Sequence, residues 1–224
     1  MWLNRLERMV SKEKIDKLKN SRVAIIGLGG VGGNALESLV RFNIGNIIIV
    51  DSDVIERSNL NRQLLSLRSN IGEKKIEVAK KRILDVNSEC NVTTLDLFID
   101  KSNVEDLFKY DFDYLIDACD TIDTKMLLIK ECNKRNIQII SCMGTANKFN
   151  PSLLEITDIR KTNYDPIAKI IRKRIKENNI KYKVDVVSSS EKVINSKELG
   201  SNSIVPSSAG ILCAYYIIKK IINL

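Results

Sequence analysis

Histidine is missing from this 224-residue chain, and other scarce residue types narrow its chemistry further. Without histidine, the chain can supply no Ser-His-Asp triad, no imidazole base and no histidine metal ligand. Catalysis must therefore use Lys, Arg, Asp, Glu, Ser, Cys or backbone groups. The five cysteines include no C-x-x-C pair, so no zinc site is expected. Only 3 prolines and 10 glycines are present, which excludes collagen-like and low-complexity disordered chains.

The N-terminal residues are charged throughout and lack the apolar run of a signal peptide. We therefore expect a cytoplasmic protein with reduced thiols. The most apolar stretch, residues 209–218, is shorter than the roughly 20 residues that a membrane-spanning helix needs. We predict a buried terminal helix and no integral span, with peripheral membrane contact left open.

The formal net charge is +8, and the excess is concentrated in residues 160–183. This segment contains nine Lys or Arg residues and only two acids. A cluster of this kind favours an acidic partner such as a nucleic acid. A solvated helix face has the same composition, so the two interpretations stay open at this point.

Short apolar runs alternate with helical periodicities through the first two-thirds of the chain. This alternation predicts an α/β fold with a Rossmann-like, mostly parallel sheet and helices on both faces. The predicted strands are 22–26, 46–50, 92–99, 113–117 and 138–142, and the predicted helices are 34–42, 75–86 and 123–135. After residue 150 we expect a strand at 151–157 and a basic helical segment at 160–183, within which the pair Asp165-Pro166 marks the start of a helix. We expect irregular chain at 188–190 and 192–203, and a C-terminal helix at 204–224. We treat residues 1–224 as one domain.

A glycine-rich turn follows the first predicted strand and precedes a helix: Gly27-Leu28-Gly29-Gly30-Val31-Gly32. Glycines there allow a tight turn and a close approach to a phosphate at the positive end of the helix. Asp51 ends the next predicted strand, where a carboxylate can accept hydrogen bonds from ribose hydroxyls. Alone, these features indicate a nucleotide site with NAD as the default ligand.

Two cations later in the chain favour a triphosphate over NAD. The glycine loop largely satisfies a diphosphate, whereas Arg62 and Lys75 suit a triphosphate that must be neutralised before a nucleophile attacks. Asn59 can add a neutral hydrogen bond. Each cation taken singly is also explained as a surface charge. An NAD-dependent dehydrogenase is disfavoured by this set and by the lack of an obvious acid–base pair for hydride transfer.

Asp120 follows an apolar strand, and ligands bind outside the carboxyl ends of strands in open α/β sheets. A carboxylate that faces phosphates there is suited to bind Mg²⁺. The alternative is that Asp120 is the N-cap of the next helix.

The motifs GLGGVG, DSD, SNLNRQ, IGEKK and DACD, in this order, resemble those of the ThiF/MoeB superfamily, which adenylates ubiquitin-like and sulfur-carrier proteins. The resemblance implies ATP, Mg²⁺, a homodimer and attack of a carboxylate on the α-phosphate. It implies catalytic roles for Arg62, Lys75 and Asp120, and for Arg8 or the nearby Arg5, reaching ATP in the partner subunit. Asp120 is the implied metal ligand. The implied nucleotide-binding residues are Gly27, Gly29, Gly30, Gly32, Asp51, Asp53, Asn59, Arg62, Gln63, Lys75, Asp120 and Thr121.

The later segment, beginning with Thr157-Asp158-Ile159-Arg160-Lys161-Thr162, is similar to the tRNA threonylcarbamoyladenosine dehydratase branch. That branch adenylates the threonyl carboxylate of the modified nucleoside in tRNA, and a ring then closes with net loss of water. It is also associated with a cysteine desulfurase system, which implies a sulfur-acceptor partner. The implied tRNA-binding residues are Arg160, Lys161, Lys169, Arg172, Lys173, Arg174 and Lys176.

The competing function is an adenylyltransferase that activates the C-terminal Gly-Gly of a ubiquitin-like sulfur-carrier protein. In that case the basic segment binds an acidic carrier. The missing C-x-x-C pairs disfavour it, because carrier-activating members usually hold a structural zinc ion.

Overall fold

Seven short strands form one sheet in the computed structural model, which describes residues 2–194 and 198–224. The strands are β1 (Arg22–Ile26), β2 (Asn46–Val50), β3 (Asn91–Leu95), β4 (Tyr114–Asp117), β5 (Gln138–Cys142), β6 (Leu154–Asp158) and β7 (Asp185–Ser189). Their order is β3-β2-β1-β4-β5-β7-β6. All neighbouring pairs are parallel except β6 and β7. Chain order reverses between β1 and β4, which places a ligand crevice at their carboxyl ends.

Eight α-helices occur in the described part of the chain: α1 (Asn4–Glu7), α2 (Lys12–Asn20), α3 (Gly32–Arg41), α4 (Lys75–Val86), α5 (Val104–Leu107), α6 (Ile122–Lys134), α7 (Pro166–Glu177) and α8 (Ile204–Ile222). Short 3₁₀ turns lie at Arg57–Asn59, Arg68–Asn70, Pro151–Leu153 and Ile159–Lys161. The Asp165-Pro166 helix start is confirmed. Asp165 Oδ1 accepts a hydrogen bond from the amide of Ala168 at 2.9 Å, and Pro166 occupies the first helical position.

Both faces of the sheet are covered, as the continuous apolar strands predict. Because side chains alternate along a strand, Val23 and Ile25 join one cluster with α2, α3, α4 and α8. Ala24 and Ile26 join a second cluster with α5 and α6. α7 packs beside α6 in a third cluster, which also includes Val186 of β7. The predicted Rossmann-like α/β architecture is confirmed.

The C-terminal helix is longer than the ten-residue apolar run, 209–218, from which the sequence predicted no membrane-spanning helix. α8 has 19 residues and is long and apolar enough to cross a membrane by length and composition alone, so the argument from length was wrong. In this fold α8 is a core helix that packs along α3. A Cβ on its Gly210 would lie 2.2 Å from the carbonyl oxygen of Val31, so the two helices touch backbone to backbone.

Two details of the second half differ from the sequence prediction. Residues 188 and 189 end strand β7 instead of lying in irregular chain. Both serines are buried and pair with β6, and the Ser189 carbonyl also accepts a hydrogen bond from Lys148, so a strand satisfies their backbone despite the serine-rich sequence. β6 runs from Leu154 to Asp158 after a 3₁₀ turn. The predicted irregular chain at 192–203 includes residues 195–197, which lie outside the described residues.

Candidate active site

The glycine loop crosses from β1 to α3 at the reversal point of the sheet. Gly27 has φ of +90°, and a Cβ there would lie 2.9 Å from the carbonyl oxygen of Ala118. A Cβ on Gly32 would lie 1.8 Å from the Gly27 carbonyl oxygen. The loop therefore needs glycine at both positions, one for its backbone conformation and the other for its close contact. Its amides, together with the open N-terminus of α3, form a setting suited to an anion.

Asp51 and Asp53 follow β2 and lie beside the glycine loop. Asp51 accepts hydrogen bonds from the amides of Leu28 at 2.7 Å and Asp53 at 2.8 Å. A carboxylate has about four acceptor positions, so Asp51 keeps capacity for ribose hydroxyls. Lys75 reaches the same place from the start of α4. Its side chain is only 6% exposed, and its Nζ lies 2.7 Å from Asp53 Oδ2 and 4.0 Å from Asp51 Oδ2.

Arg62 and Gln63 lie against the glycine loop from the opposite side. A Cβ on Gly30 would lie 3.2 Å from the Arg62 carbonyl oxygen, and one on Gly29 would lie 3.8 Å from Gln63 Nε2. The Arg62 guanidinium donates to the Ser58 carbonyl at 2.8 Å and to a neighbouring amide oxygen. These bonds use one of its nitrogens, Nη1, and leave further donors for a phosphate.

Asn59 has a structural role as well as the implied one. Its side-chain oxygen accepts from the amide of Glu56 at 3.0 Å, in a capping box around a 3₁₀ turn. Its amide nitrogen has only a 3.4 Å contact with Ser58. One end of Asn59 therefore shapes the turn, while the other remains available to a ligand.

A buried polar network lies beneath the turn that carries Asp120, and the sequence reasoning missed it. Lys125 Nζ lies 3.1 Å from both carboxylate oxygens of Asp117, and it donates to the Cys142 carbonyl at 2.7 Å. Asp117 also accepts from the hydroxyl of Ser141 at 2.5 Å. Burial opposes the charge of Lys125, but the adjacent carboxylate outweighs that effect and raises its pKa. In the sequence, Asp117 and Lys125 are a strand-end acid and a helix lysine eight residues apart, and that spacing alone does not indicate a buried ion pair.

The same network keeps a nearby thiol protonated. Cys119 Sγ donates to Asp117 Oδ1 at 3.0 Å. Burial, and then the charge of Asp117, raise the pKa of Cys119 far above its usual range. A thiolate nucleophile at Cys119 is therefore disfavoured.

Asp120 is exposed at the carboxyl end of β4. Its one hydrogen-bond contact among the described residues is with the hydroxyl of Thr121, at 3.4 Å. The N-cap of α6 is Thr121, with no side-chain cap bond. The alternative of Asp120 as an N-cap was therefore wrong, and its carboxylate is open to solvent and to the crevice.

The three arginines among the seven basic residues assigned to RNA contact make hydrogen bonds or ion pairs that join different parts of the chain. Arg160 binds Asp158 and the carbonyls of Ile180 and Tyr182. Arg172 donates to the Thr162 carbonyl at 2.8 Å, and Arg174 pairs with Asp123. These three arginines hold α7 and its flanks in place.

The other four basic residues are exposed lysines on and before α7: Lys161, Lys169, Lys173 and Lys176. Lys173 pairs loosely with Glu177 at 3.7 Å. Helix α7 starts beside Gly144, near the carboxyl edge that carries the glycine loop. The exposed lysines therefore form a positive strip that leads away from the crevice.

The N-terminal arginines have no contact with the crevice residues among the side-chain hydrogen bonds and ion pairs of the described chain. Arg5 is in α1 and Arg8 caps its end, and both are exposed. No ion pair or hydrogen bond of either side chain occurs within the described residues. The structure thus brings together the loop, Asp51, Asp53, Arg62, Gln63 and Lys75, but not Arg5 or Arg8.

Metal ligands are sparse in the parts of the chain that the structure describes. No group of three or more Cys, Asp or Glu side chains there is arranged to hold a metal ion. Mg²⁺ bound with a nucleotide commonly takes only one or two carboxylates and fills its other positions with phosphates and water. Asp120 alone suits that kind of site.

A glycine loop at the reversal point of a Rossmann-like sheet, flanked by a strand-end acid and two cations, is typical of nucleotide-binding enzymes. The chain belongs to the ThiF family, whose model matches residues 3–222. It is 41% identical to a tRNA threonylcarbamoyladenosine dehydratase of Bacillus subtilis, over 98% of this chain and 94% of that protein.

Solved structures agree with that similarity. A crystal structure of E. coli tRNA N6-threonylcarbamoyladenosine dehydratase in complex with ATP superimposes with a TM-score of 0.94 and 32% identity. It covers 99% of this chain and 93% of that one. A complex of the E. coli enzyme with AMP gives a TM-score of 0.93 and 31% identity, over 98% of this chain and 93% of that one.

Proposed function

We propose that this chain is an ATP-dependent tRNA threonylcarbamoyladenosine dehydratase. It adenylates the threonyl carboxylate of the modified nucleoside and promotes cyclisation with net loss of water. The observation that carries the proposal is the grouping of the glycine loop, Asp51, Arg62 and Lys75 at one sheet edge in a chain similar to such enzymes over nearly its whole length.

The crevice fits ATP on several grounds. The glycines leave the backbone bare where a phosphate must approach, and Asp51 retains acceptors for ribose. Lys75 is paired with Asp53 at 2.7 Å, but Asp53 is itself two-thirds exposed. A phosphate can therefore compete for the lysine without leaving a buried carboxylate unpaired.

The chemistry begins with attack of a threonyl carboxylate oxygen on the α-phosphorus of ATP, and pyrophosphate leaves. The product is an acyl-adenylate, in which the poor electrophile has gained a good leaving group. Arg62 and Lys75 stabilise charge on the phosphates as the transition state forms. A nucleophile within the same modified nucleoside then attacks the acyl carbon and AMP leaves, carrying the oxygen lost from the carboxylate. Ring closure is intramolecular, so positioning contributes much of its rate.

Asp120 is the residue that would hold Mg²⁺ against the phosphates. When bound, the ion adds positive charge where negative charge develops on the transferring phosphoryl group. The exposed position of Asp120 and its weak contact with Thr121, at 3.4 Å, leave its carboxylate free for that role.

The proposed tRNA surface is the lysine strip on α7 and its flank, with Arg160, Arg172 and Arg174 holding the helix in place. Lys161, Lys169 and Lys176 have no acidic partner within the described residues, and such cations bind phosphates and release counterions, so binding should weaken as salt rises. The strip begins near the crevice edge, which allows the modified nucleotide to enter while the adjoining backbone lies along α7.

We also propose a homodimer in which Arg8, or Arg5, reaches the ATP of the partner subunit. The support is that both arginines are exposed and that neither side chain has an ion pair or hydrogen bond in the described part of its own protomer. Exposed apolar residues in the segment between β2 and α4 supply surface for such an interface: Leu64, Leu67 and Ile71. A cytoplasmic location remains a prediction from the charged N-terminus and the unpaired cysteines, and a sulfur-acceptor partner remains a prediction of the family resemblance.

The test is mass spectrometry of nucleosides from tRNA that carries threonylcarbamoyladenosine, after incubation with the protein and Mg²⁺, with and without ATP. We expect ATP-dependent loss of one water from that nucleoside. Asp120→Ala should abolish the loss, while Lys183→Ala, remote from the crevice, should not. No change with a tRNA that another dehydratase converts would contradict the proposal. AMP transfer to a carrier protein instead would favour the carrier-activating function.

A further inference from the structure

Two lysines are among the largest fully buried side chains of the described residues, Lys125 and Lys148. Each forms an ion pair with a buried aspartate: Lys125 with Asp117 at 3.1 Å, and Lys148 with Asp165 at 3.4 Å. Burying a charge is unfavourable unless the partner geometry is good and the remaining donors are satisfied. Such pairs often serve to fix one arrangement of the chain, so the elements that each pair joins indicate what it controls.

The Lys125 pair joins the ends of two adjacent strands. Its three N–H donors match three acceptor atoms: both carboxylate oxygens of Asp117, at the end of β4, and the carbonyl of Cys142, at the end of β5. Asp117 is further fixed by the Ser141 hydroxyl at 2.5 Å and the Cys119 amide at 3.2 Å. Every donor of the buried ammonium is therefore used, and the carboxylate cannot rotate freely.

This ion pair closes a short stretch of chain into a ring. The backbone runs from Asp117 through the turn into the first turn of α6, and the Lys125 side chain returns to Asp117. Asp120 stands in the middle of that ring, exposed, with a single 3.4 Å contact to Thr121. The ring also touches the glycine loop, because a Cβ on Gly27 would lie 2.9 Å from the carbonyl oxygen of Ala118.

We infer that Lys125 is a positioning residue, which closes the turn from Asp117 to α6 so that the Asp120 carboxylate is held at a fixed distance from the phosphates on the glycine loop. The inference rests on the proposed function, since it takes Asp120 as the ligand of nucleotide-bound Mg²⁺. Lys125 itself touches neither nucleotide nor metal. Its effect passes through the geometry of the turn.

The second buried pair provides a matched control. Lys148 Nζ also donates to the carbonyl of Ser189 at 3.2 Å, and Asp165 caps α7. This pair thus ties β7 to α7 and does not include the turn that carries Asp120. A purely structural effect of losing a buried lysine should appear equally in Lys125→Met and Lys148→Met.

The experiment measures ATP binding by calorimetry in the presence and absence of Mg²⁺ for the full-length wild type, Asp120→Ala, Lys125→Met and Lys148→Met. The readout is the factor by which Mg²⁺ tightens ATP binding. We expect Lys125→Met to lose about tenfold or more of that factor, because losing a residue that orients a metal ligand typically costs about 10- to 100-fold in metal affinity. Lys148→Met should keep it, and combining Lys125→Met with Asp120→Ala should cost no more than Asp120→Ala alone.

The outcomes separate the inference from the function it rests on. If the wild type shows no gain from Mg²⁺, or Asp120→Ala keeps it, the assignment of Asp120 fails and the inference fails with it. If Asp120→Ala loses the gain but Lys125→Met keeps it, only the inference is overturned. Equal losses in Lys125→Met and Lys148→Met also overturn it. Should Lys125→Met not fold, the same measurement on Asp117→Asn/Lys125→Met, which buries no unpaired charge, decides between these results.

Discussion

A methyl group added at Gly32 gives a direct test of the glycine loop. A Cβ at this first residue of α3 would lie 1.8 Å from the Gly27 carbonyl oxygen and 3.3 Å from the Ala118 side chain. The closest atom belongs to the backbone, so the loop and helix must separate by more than about 1 Å to reach normal contact distances. No side-chain rotation can relieve this overlap.

The expected cost of Gly32→Ala follows from that overlap. Overpacking typically costs about 1 to 3 kcal/mol. For a chain of 224 residues, that corresponds to a Tm lower by about 2 to 12 °C. Since the displaced atoms form the proposed phosphate site, we expect ATP affinity to fall more than about tenfold, a loss of roughly 1.4 kcal/mol of binding free energy.

Gly29→Ala is the matched control in the same loop. Its Cβ would meet only Gln63 Nε2, at 3.8 Å, which is an ordinary contact. Thermal unfolding should therefore leave its Tm close to the wild-type value. Calorimetric titration with ATP should show the large loss in Gly32→Ala. Wild-type Tm and ATP affinity in Gly32→Ala, or an equal destabilisation in Gly29→Ala, would refute the steric reasoning.

Three further predictions concern the charged and thiol groups. Lys75→Met should lower kcat for nucleoside dehydration by at least about 10²-fold with the fold retained, by circular dichroism, because the transition state loses a phosphate cation; activity near the wild-type rate would contradict the assignment. Replacing the three exposed lysines Lys161, Lys169 and Lys176 by Ala in one variant should make the plot of log K for tRNA binding against log salt concentration less steep, by the equivalent of up to about three phosphate contacts. An unchanged slope would show that these lysines do not contact tRNA. Burial raises the pKa of Cys90 to about 12, so its thiol should stay protonated in the folded protein and resist iodoacetamide at pH 8. Because only the unfolded chain can lose this proton near pH 9, the shift should lower the free energy of unfolding only above about pH 9. Rapid labelling of Cys90, mapped by mass spectrometry, would contradict its burial.

The sheet and the glycine loop could be predicted because their signals are local. β1 and β2 are short apolar runs rich in β-branched residues, and the glycines form a recognisable pattern between β1 and α3. The close contact of Gly27 with Ala118, after β4, is the part of the loop that this local pattern does not display. β7 was missed at its serine-rich end, since the pairing of Ser188 and Ser189 with β6 depends on residues far away in sequence. Strand pairing of that kind leaves little trace in a single sequence.

The residues that line the candidate site could be predicted from the sequence, but the buried residues that hold them in place could not. Lysines and arginines usually indicate surface, yet Lys125 is buried beneath the crevice, and Arg172 and Arg174 make bonds within the chain. Whether a cation meets solvent or an internal acceptor depends on tertiary contacts that a single sequence does not display. The placement of Asp120 outside the helix cap likewise depends on one residue of register at the start of α6.

The packing of α8 has a consequence for the order of events during synthesis. Its Pro206 meets Gly30, where a Cβ would lie 3.1 Å from the proline ring, and its Gly210 fits against Val31. The nucleotide loop precedes α8 by about 170 residues of sequence, so it leaves the ribosome well before the helix that covers it. At about 5 to 20 residues per second, the loop waits on the order of ten seconds or more for its support. The newly made chain should be unable to hold nucleotide until α8 has emerged.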